Sequence, residues 1–175
     1  MNINFQQRAL KLALVSAFAL GAAAVGVNGH AASATGNATA TVIAPIAIAN
    51  TTDLAFGKFA ASTGGTVVMD PAGARTATGA VVLSTVTPGG AASFDVTGDN
   101  DATYAITLPG SISISDGAAT PNTMSVDTFT STPSATGTLS ATGAQTVTVG
   151  GTLTVASAQV AGAYTGTFDV TVEYN

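Results

Sequence analysis

The final residues of the chain alternate strictly between apolar and polar side chains, as in a strand with one buried face. The apolar or small set is Tyr164, Gly166, Phe168, Val170, Val172 and Tyr174, and the intervening residues are Thr165, Thr167, Asp169, Thr171 and Glu173. Because a shift of one residue would turn every apolar side chain to solvent, this pattern determines which face is buried. We predict a strand over 164–174, joined to the preceding strand by a turn at 158–162 as a hairpin that closes the sheet.

The same period of two recurs along the chain between clusters of Gly, Pro, Asn and Asp, and nothing in the pattern predicts a helix. Thr and Val, which favour strands, are frequent in these segments. The other predicted strands are 38–49, 54–59, 66–69, 80–84, 91–96, 103–108, 111–115, 124–129, 137–141 and 145–156. Paired glycines at 64–65, 89–90 and 150–151 are interpreted as turns or bulges. Strands so short and closely spaced predict an all-β fold, an antiparallel immunoglobulin-like β-sandwich with an extended N-terminal strand.

The chain begins with the features of an export signal. Arg8 and Lys11 precede an apolar run over 12–27, and small residues at Ala32-Ser33-Ala34 follow it. The run is short for a bilayer span, which needs about twenty residues. We therefore predict a cleaved signal peptide over 1–34, export through the periplasm to the cell surface, and no membrane span in the mature chain.

The mature chain is poor in the side chains that carry out catalysis. It has no Cys or Trp, its only histidine, His30, leaves with the signal peptide, and Lys58 and Arg75 are its only cations against nine acidic residues. This composition excludes thiolate and imidazole nucleophiles, the common zinc sites, and the basic surface that nucleic-acid binding requires. We expect a protein that is not an enzyme, with no cofactor, no metal and no nucleic-acid partner.

A few charged residues leave smaller alternatives open. The loop Asp99-Asn100-Asp101 offers oxygen ligands for Ca²⁺, but the same residue types are common in hairpin loops, and the spacing differs from that of a twelve-residue calcium loop. Arg75 is interpreted as an ion-pair partner of Asp70 or as a solvated loop residue. Lys58 is interpreted as a solvent-side strand residue that discourages edge pairing.

The mature N-terminus carries a second row of small apolar residues, which ends before Pro45. This row contains Ala38, Ala40 and Val42. Because proline has no N–H to donate, Pro45 predicts a break or an edge position in the strand. Two interpretations of residues 35–43 stay open: an ordinary first strand or frayed end of the same domain, or an arm presented to a neighbouring subunit. The domain proper is predicted to span 44–175.

Four stretches occur in a characteristic order. They are Pro45-Ile46-Ala47-Ile48 with Leu54-Ala55-Phe56-Gly57, then Gly65-Thr66-Val67-Val68 with Asp70-Pro71, then Val149-Gly150-Gly151-Thr152-Leu153, and the ending over 162–175. Together they resemble the exported bacterial DUF4402 domain, which is similar in style to spore-coat-U proteins and to archaic chaperone–usher fimbrial subunits. The ending is also similar to that of pilins, which have a glycine fourteen residues from the C-terminus and an aromatic residue in the penultimate position, here Gly162 and Tyr174.

The resemblance implies a subunit with an open sheet edge that a periplasmic chaperone holds, an outer-membrane usher assembles, and the N-terminal arm of the next subunit completes. The implied donor residues, within 35–43, are Ala38, Ala40, Val42 and Ile43. The implied groove and chaperone-contacting residues are Gly162, Tyr164, Phe168, Val170, Val172 and Tyr174. We therefore expect a structural subunit of an extracellular fimbria-like filament of identical copies. The alternative is a monomeric secreted or surface-attached adhesive module that binds carbohydrate.

Overall fold

A computed structural model describes residues 31–175, which contain ten strands and no helix. The strands are β1 Ala47–Thr52, β2 Phe59–Met69, β3 Arg75–Leu83, β4 Ala92–Thr97, β5 Thr103–Thr107, β6 Ser111–Ser115, β7 Thr123–Thr132, β8 Thr136–Thr138, β9 Ala144–Val155 and β10 Thr171–Tyr174. The chain divides into two units, Met1–Ala40 and Thr41–Asn175, and all ten strands lie in the second. Of the first unit, residues 31–40 are exposed and form no strand, while the predicted signal peptide lies outside the described residues up to position 30.

Every strand pair is antiparallel, and β9 is the centre of the larger sheet. Along one edge β9 pairs first with β4 and then with β2, and along its other edge it pairs with β7. Strands β1, β3 and β6 extend this sheet beyond β4, β2 and β7, and a second sheet has the order β10-β5-β8. The predicted all-β antiparallel sandwich is confirmed. Within the described residues, no helix has the length and apolar character needed to cross a membrane.

Two apolar clusters hold the sandwich together. The front core lies between the two sheets and contains Ala92, Phe94, Val96, Tyr104, Ile106, Leu139, Val147, Val149 and Val172. The rear core contains Val67, Val81, Met124, Val126, Leu153 and Val155, all from the larger sheet. No residue of β5, β8 or β10 belongs to the rear core or is among the side chains packed against it. The second sheet therefore covers only the front half of the larger one.

The predicted strands differ from the structure most at the two ends of the chain. The strand predicted over 38–49 begins only at Ala47, because Pro45 has no N–H and the residues before it find no strand partner in the described chain. The strand predicted over 164–174 is paired as a strand only from Thr171. Since β10 pairs with β5 and not with β9, the predicted closing hairpin is wrong. The predicted alternation of more buried and exposed residues is nevertheless present from residue 168 to residue 174, and before it Tyr164 is half-buried while Gly166 is exposed.

Several internal predictions need smaller corrections. Of the segment predicted as a strand over 54–59, residue 59 begins β2, whereas residues 54–58 form only a bridge between Ala55 and Gly90, since Gly57 adopts a left-handed φ of 68° that interrupts the segment. The glycines at 64–65 lie at a register shift inside β2, in agreement with their interpretation as a bulge, and β2 begins at Phe59 rather than at the predicted residue 66. The pair at 150–151 lies where β9 changes its partner from β4 to β2. The prediction over 111–115 matches β6, whereas β3 and β7 are longer than predicted.

Tyr104 provides a test of the front core through its pH dependence. The ring is fully buried, and its hydroxyl donates to Gln145 Oε1 at 2.7 Å, which also accepts the Thr138 N–H at 3.0 Å. Burial raises the pKa of Tyr104 above its ordinary value of 10.0, because the phenolate is poorly solvated there. The protonated form therefore stabilises the fold fully below pH 10.0, and this stability is lost as the pH rises through the higher pKa of the folded state.

We expect Tyr104→Phe to lower the free energy of unfolding at pH 7 by about 1 kcal/mol, since one buried hydrogen bond is lost. Above pH 10.0 the variant should lose stability less steeply than the wild type, because it lacks the buried group that resists ionisation. Urea unfolding at a series of pH values from 7 upwards measures both effects. Identical slopes above pH 10.0 in the two proteins would contradict this account of Tyr104.

Candidate docking groove

The C-terminal wall, which we define as residues 164–168, has the side-chain alternation of a strand but little main-chain pairing. Tyr164 and Phe168 are half-buried, whereas the threonines between them are exposed. Thr165 and Ser115 each donate an N–H to the carbonyl of the other at 2.9 Å. From residue 166 to residue 170 the described chain shows no hydrogen bond between main-chain groups. This stretch therefore presents free N–H and C=O groups beside an apolar interior.

The opposite wall, which we call the β2 wall, consists of residues 53–61 and is attached to its neighbours along one side. Ala55 pairs with Gly90 through two main-chain hydrogen bonds of 2.8 and 2.9 Å, and the Lys58 N–H donates to the Thr87 carbonyl at 3.0 Å. Residues 59–61 pair with β3, but β2 pairs with β9 only from residue 65 onwards. Within the described chain no main-chain hydrogen bond joins the β2 wall to the C-terminal wall.

A cavity of about 1040 Å³ separates the two walls, and we call it the docking groove. Side chains from β6, β7 and β9 form its floor: Ile112, Ile114, Met124, Val126, Leu153 and Val155. These residues belong to the rear core or pack against it. Aromatic rings from the walls complete the lining, namely Phe56, Phe59, Tyr164 and Phe168. The groove therefore lies over the half of the larger sheet that the second sheet does not cover.

Phe168 anchors the C-terminal wall through its side chain. Its ring lies edge-on to Phe94 of the front core, with ring centres 6.0 Å apart, and 5.2 Å from the ring of Phe129. Phe129 packs against both cores. Aromatic pairs at such distances contribute about 0.5–1.5 kcal/mol beyond the area they bury. The wall is thus held by packing while its main chain stays free for pairing.

Tyr164 and Gly166 determine where the C-terminal wall runs. The Tyr164 hydroxyl donates to the Val160 carbonyl at 2.7 Å and accepts from Gln159 Nε2 at 2.9 Å, which orders the loop before the wall. A Cβ at Gly166 would lie 2.8 Å from Ile114 Cγ2 and 2.9 Å from the Ser113 carbonyl oxygen. Only glycine therefore lets the wall run this close to β6.

The groove carries little charge. Asp53 and Lys58 are the charged residues among those that line it, and both are exposed. Asp116, next to the bridge residue Ser115, has its pKa lowered, first by the Asn122 side-chain amide at 2.6 Å and then by the Ala118 N–H. An uncharged, apolar occupant suits such a lining, because burying a charge there would be costly.

The residues expected in the groove divide into two groups. Gly162, Tyr164 and Phe168 line the cavity, whereas Val170, Val172 and Tyr174 lie outside the lining and pack in or against the front core. The Tyr174 hydroxyl donates to the Ala44 carbonyl at 2.9 Å and accepts the Asp99 N–H at 2.6 Å. The penultimate residue thus holds the point at which the N-terminal segment enters the domain.

The residues expected to form the donor strand are all exposed. Ala38 and Ala40 lie in the first unit, and Val42 and Ile43 lie in the second, which begins at Thr41. The side chain of Val42 is 96% exposed and that of Ile43 is 52% exposed. Val82, Val86 and Val160 are exposed as well, so exposure alone does not distinguish the arm, but burying Val42 and Ile43 would be favourable.

Two of the charged positions considered in the sequence have other roles in the structure. Asp70 accepts the Ala74 N–H at 2.8 Å in a turn, and Arg75 begins β3 and donates to main-chain carbonyls, so the expectation of an ion pair or a solvated residue is wrong. The loop with Asp99 and Asp101 connects β4 to β5 of the other sheet and is not a hairpin. Over residues 31–175 no three His, Cys, Asp or Glu side chains gather as a metal site would require.

Sequence reasoning did not identify the β2 wall or the floor as parts of a site. The floor residues were expected in strands, but their second role depends on the absence of a covering strand. For the β2 wall, Gly57 between Phe56 and Lys58 was an available signal, because a glycine inside an alternating segment often marks a close approach of another chain segment.

Comparison with known proteins agrees with the extent of this domain. Residues 46–174 match the family described as "Domain of unknown function (DUF4402)". No curated protein and no solved structure matches the chain. The matched region contains all ten strands and the residues that line the docking groove, and it excludes the arm at 35–43. Because the match extends over well more than half of the sequence, the protein belongs to the DUF4402 family.

Proposed function

We propose that the protein is an exported, non-enzymatic structural subunit of a fimbria-like filament. In this proposal residues 35–43 of one copy, which we call the arm, occupy the docking groove of the next copy as an added strand. The observation that carries the proposal is the groove itself, an apolar cavity of about 1040 Å³ between two walls that are not paired with each other. A strand placed there can form main-chain hydrogen bonds while its side chains cover the rear core.

The composition of the arm supports this occupant. Residues 35–43 contain no charged side chain, and Ala38, Ala40 and Val42 alternate with threonines, so one face of an extended arm is apolar. Small side chains let its backbone approach both walls closely. Fully extended, the nine residues span about 30 Å.

The exposure at the start of the domain supports donation to another copy. Val42 and Ile43 are exposed, and the hydrogen bond from Tyr174 to the Ala44 carbonyl ties the chain directly after them. When each copy donates an arm and accepts another, the contact joins two different surfaces and does not close on itself. Repetition of such a contact produces a filament.

Assembly through an open groove implies helper proteins before the arm arrives. An uncovered apolar groove with free main-chain groups is a site for aggregation. The proposal therefore includes a periplasmic chaperone that covers the groove and an outer-membrane usher that exchanges the chaperone for the next arm. It also requires that the segment before the arm acts as a cleaved export signal.

The test is the assembly state of the mature chain, residues 35–175. We expect fibres under the electron microscope and a ladder of oligomers on a denaturing gel that collapses to monomer after heating, because many main-chain hydrogen bonds hold each arm. Mature protein that stays monodisperse at high concentration would contradict the proposal.

A further inference from the structure

Arg75 is half-buried at the start of β3, and its guanidinium lies between the β2 wall and the loop at 84–90. Its Nη1 donates to the Phe56 carbonyl at 2.7 Å and to those of Lys58 and Thr87 at 3.3 Å. Its Nη2 donates to the Ser84 carbonyl. Two of these carbonyls belong to the β2 wall and two to the loop, so one side chain joins two irregular stretches.

The approach of the wall to the guanidinium depends on Gly57. A Cβ at this position would overlap Arg75 Nη1 and the Thr87 carbonyl oxygen, and the φ of 68° disfavours other residues. The main chain of the wall therefore fits closely against Arg75. A guanidinium has five N–H donors in a planar fork, whereas a lysine ammonium acts from a single point. Arginine is thus suited to bind several fixed carbonyls at once.

We infer that Arg75 is a positioning residue of the docking groove, which holds the β2 wall in the form that accepts a strand. The other main-chain attachments of residues 55–58 are the pair between Ala55 and Gly90 and the hydrogen bonds of Lys58 with Ser84 and Thr87. Loss of the guanidinium would leave the Phe56 carbonyl without its partner and free the middle of the wall. The inference rests on the proposed function in one respect, that the groove accepts a strand. The contacts of Arg75 with the β2 wall do not depend on the proposed function.

The test compares Arg75→Met and Arg75→Lys with the wild type in the mature chain, by hydrogen exchange of main-chain amides and by the half-time of polymerisation. We expect exchange over 53–61 to become about tenfold or more faster in Arg75→Met, with a smaller increase in Arg75→Lys, since hydrogen bonds from a charged group are lost. Exchange in β5 and β8 should not change. Polymerisation should slow by about tenfold in Arg75→Met, because the wall must be ordered again before the arm binds.

Lys58→Met is the control for exchange, because it removes the other cation of the mature chain and leaves the main-chain hydrogen bonds of the wall in place.

Unchanged exchange over 53–61 in the arginine variants would overturn the inference. Equal acceleration in β5 and β8 would also overturn it, since that reports general destabilisation. If Arg75→Met does not fold, Arg75→Lys carries the same comparison. Faster exchange over 53–61 with an unchanged rate of polymerisation would also overturn the inference. A wild type that never polymerises would contradict the proposed function instead, and hydrogen exchange alone would then test the role of Arg75.

Discussion

Removal of residues 35–43 from the mature chain is expected to abolish filaments completely and to leave a folded domain. All ten strands and both cores lie after residue 43, and the side chains of Val42 and Ile43 are exposed, so the deletion removes no core contact. The shortened protein should keep the circular dichroism of a β-protein and a cooperative melting transition. Electron microscopy and denaturing gels without heating should show no fibres and no ladder, and fibres formed by the shortened protein would contradict the proposal.

A synthetic peptide with the sequence of residues 35–43 should bind the shortened protein and raise its melting temperature. A ligand that binds only the native state stabilises it by about 2.7 kcal/mol at a hundredfold excess over its Kd. The matched control is the same peptide with Val42→Asp, which would bring a charge into an apolar groove and should bind at least about tenfold more weakly. Calorimetry measures both affinities. Equal binding of the two peptides would show that the apolar face of the arm does not enter the groove.

The sequence predicted the buried face of the C-terminal stretch better than its pairing. Alternation reports which way each side chain points, and Phe168, Val170 and Val172 are at least half-buried, as expected. It does not report which strand lies alongside, because partners are chosen by contacts distant in the chain. The match over β6 arose from local signals, since Pro109-Gly110 precedes it and Asp116-Gly117 follows it.

Of the two walls of the groove, only the C-terminal wall was predictable from the sequence. Gly162, Tyr164 and Phe168 line it as expected, because the resemblance at the C-terminus identified one wall. The other wall depends on Arg75, which lies 19 positions after Phe56 and reaches it only in the folded sheet. Contacts between the Arg75 side chain and main-chain carbonyls cannot be predicted from composition or from the periodicity of apolar residues. The groove is also open because β9 pairs with β2 only from residue 65 onwards and leaves residues 59–64 unpaired with it.

Gly166→Ala is expected to damage the groove without unfolding the domain. Its Cβ would lie 2.9 Å from the Ser113 carbonyl oxygen and 3.2 Å from Ile114 Cα, both main-chain atoms that cannot rotate away. Because residues 166–170 belong to no ladder, the wall can relieve this overlap by moving away from β6, which would break the bridge between Thr165 and Ser115. We expect a loss of about 1–3 kcal/mol in the free energy of unfolding. The affinity for the arm peptide should fall by about tenfold or more, since one wall is displaced.

Gly162→Ala is the matched control in the same part of the chain. A Cβ there would meet Asp116 Cβ and Tyr164 Cε2 at 3.8 Å, which is ordinary van der Waals contact. Replacing a glycine without strain restricts the unfolded chain, so this variant should be as stable as the wild type or more stable by about 0.4–1 kcal/mol. It should keep its affinity for the peptide, as measured by calorimetry beside Gly166→Ala. If the two variants lose affinity for the peptide equally, the close approach of the C-terminal wall to β6 does not shape the groove. If only Gly166→Ala loses affinity, the position of the C-terminal wall determines whether an arm can bind.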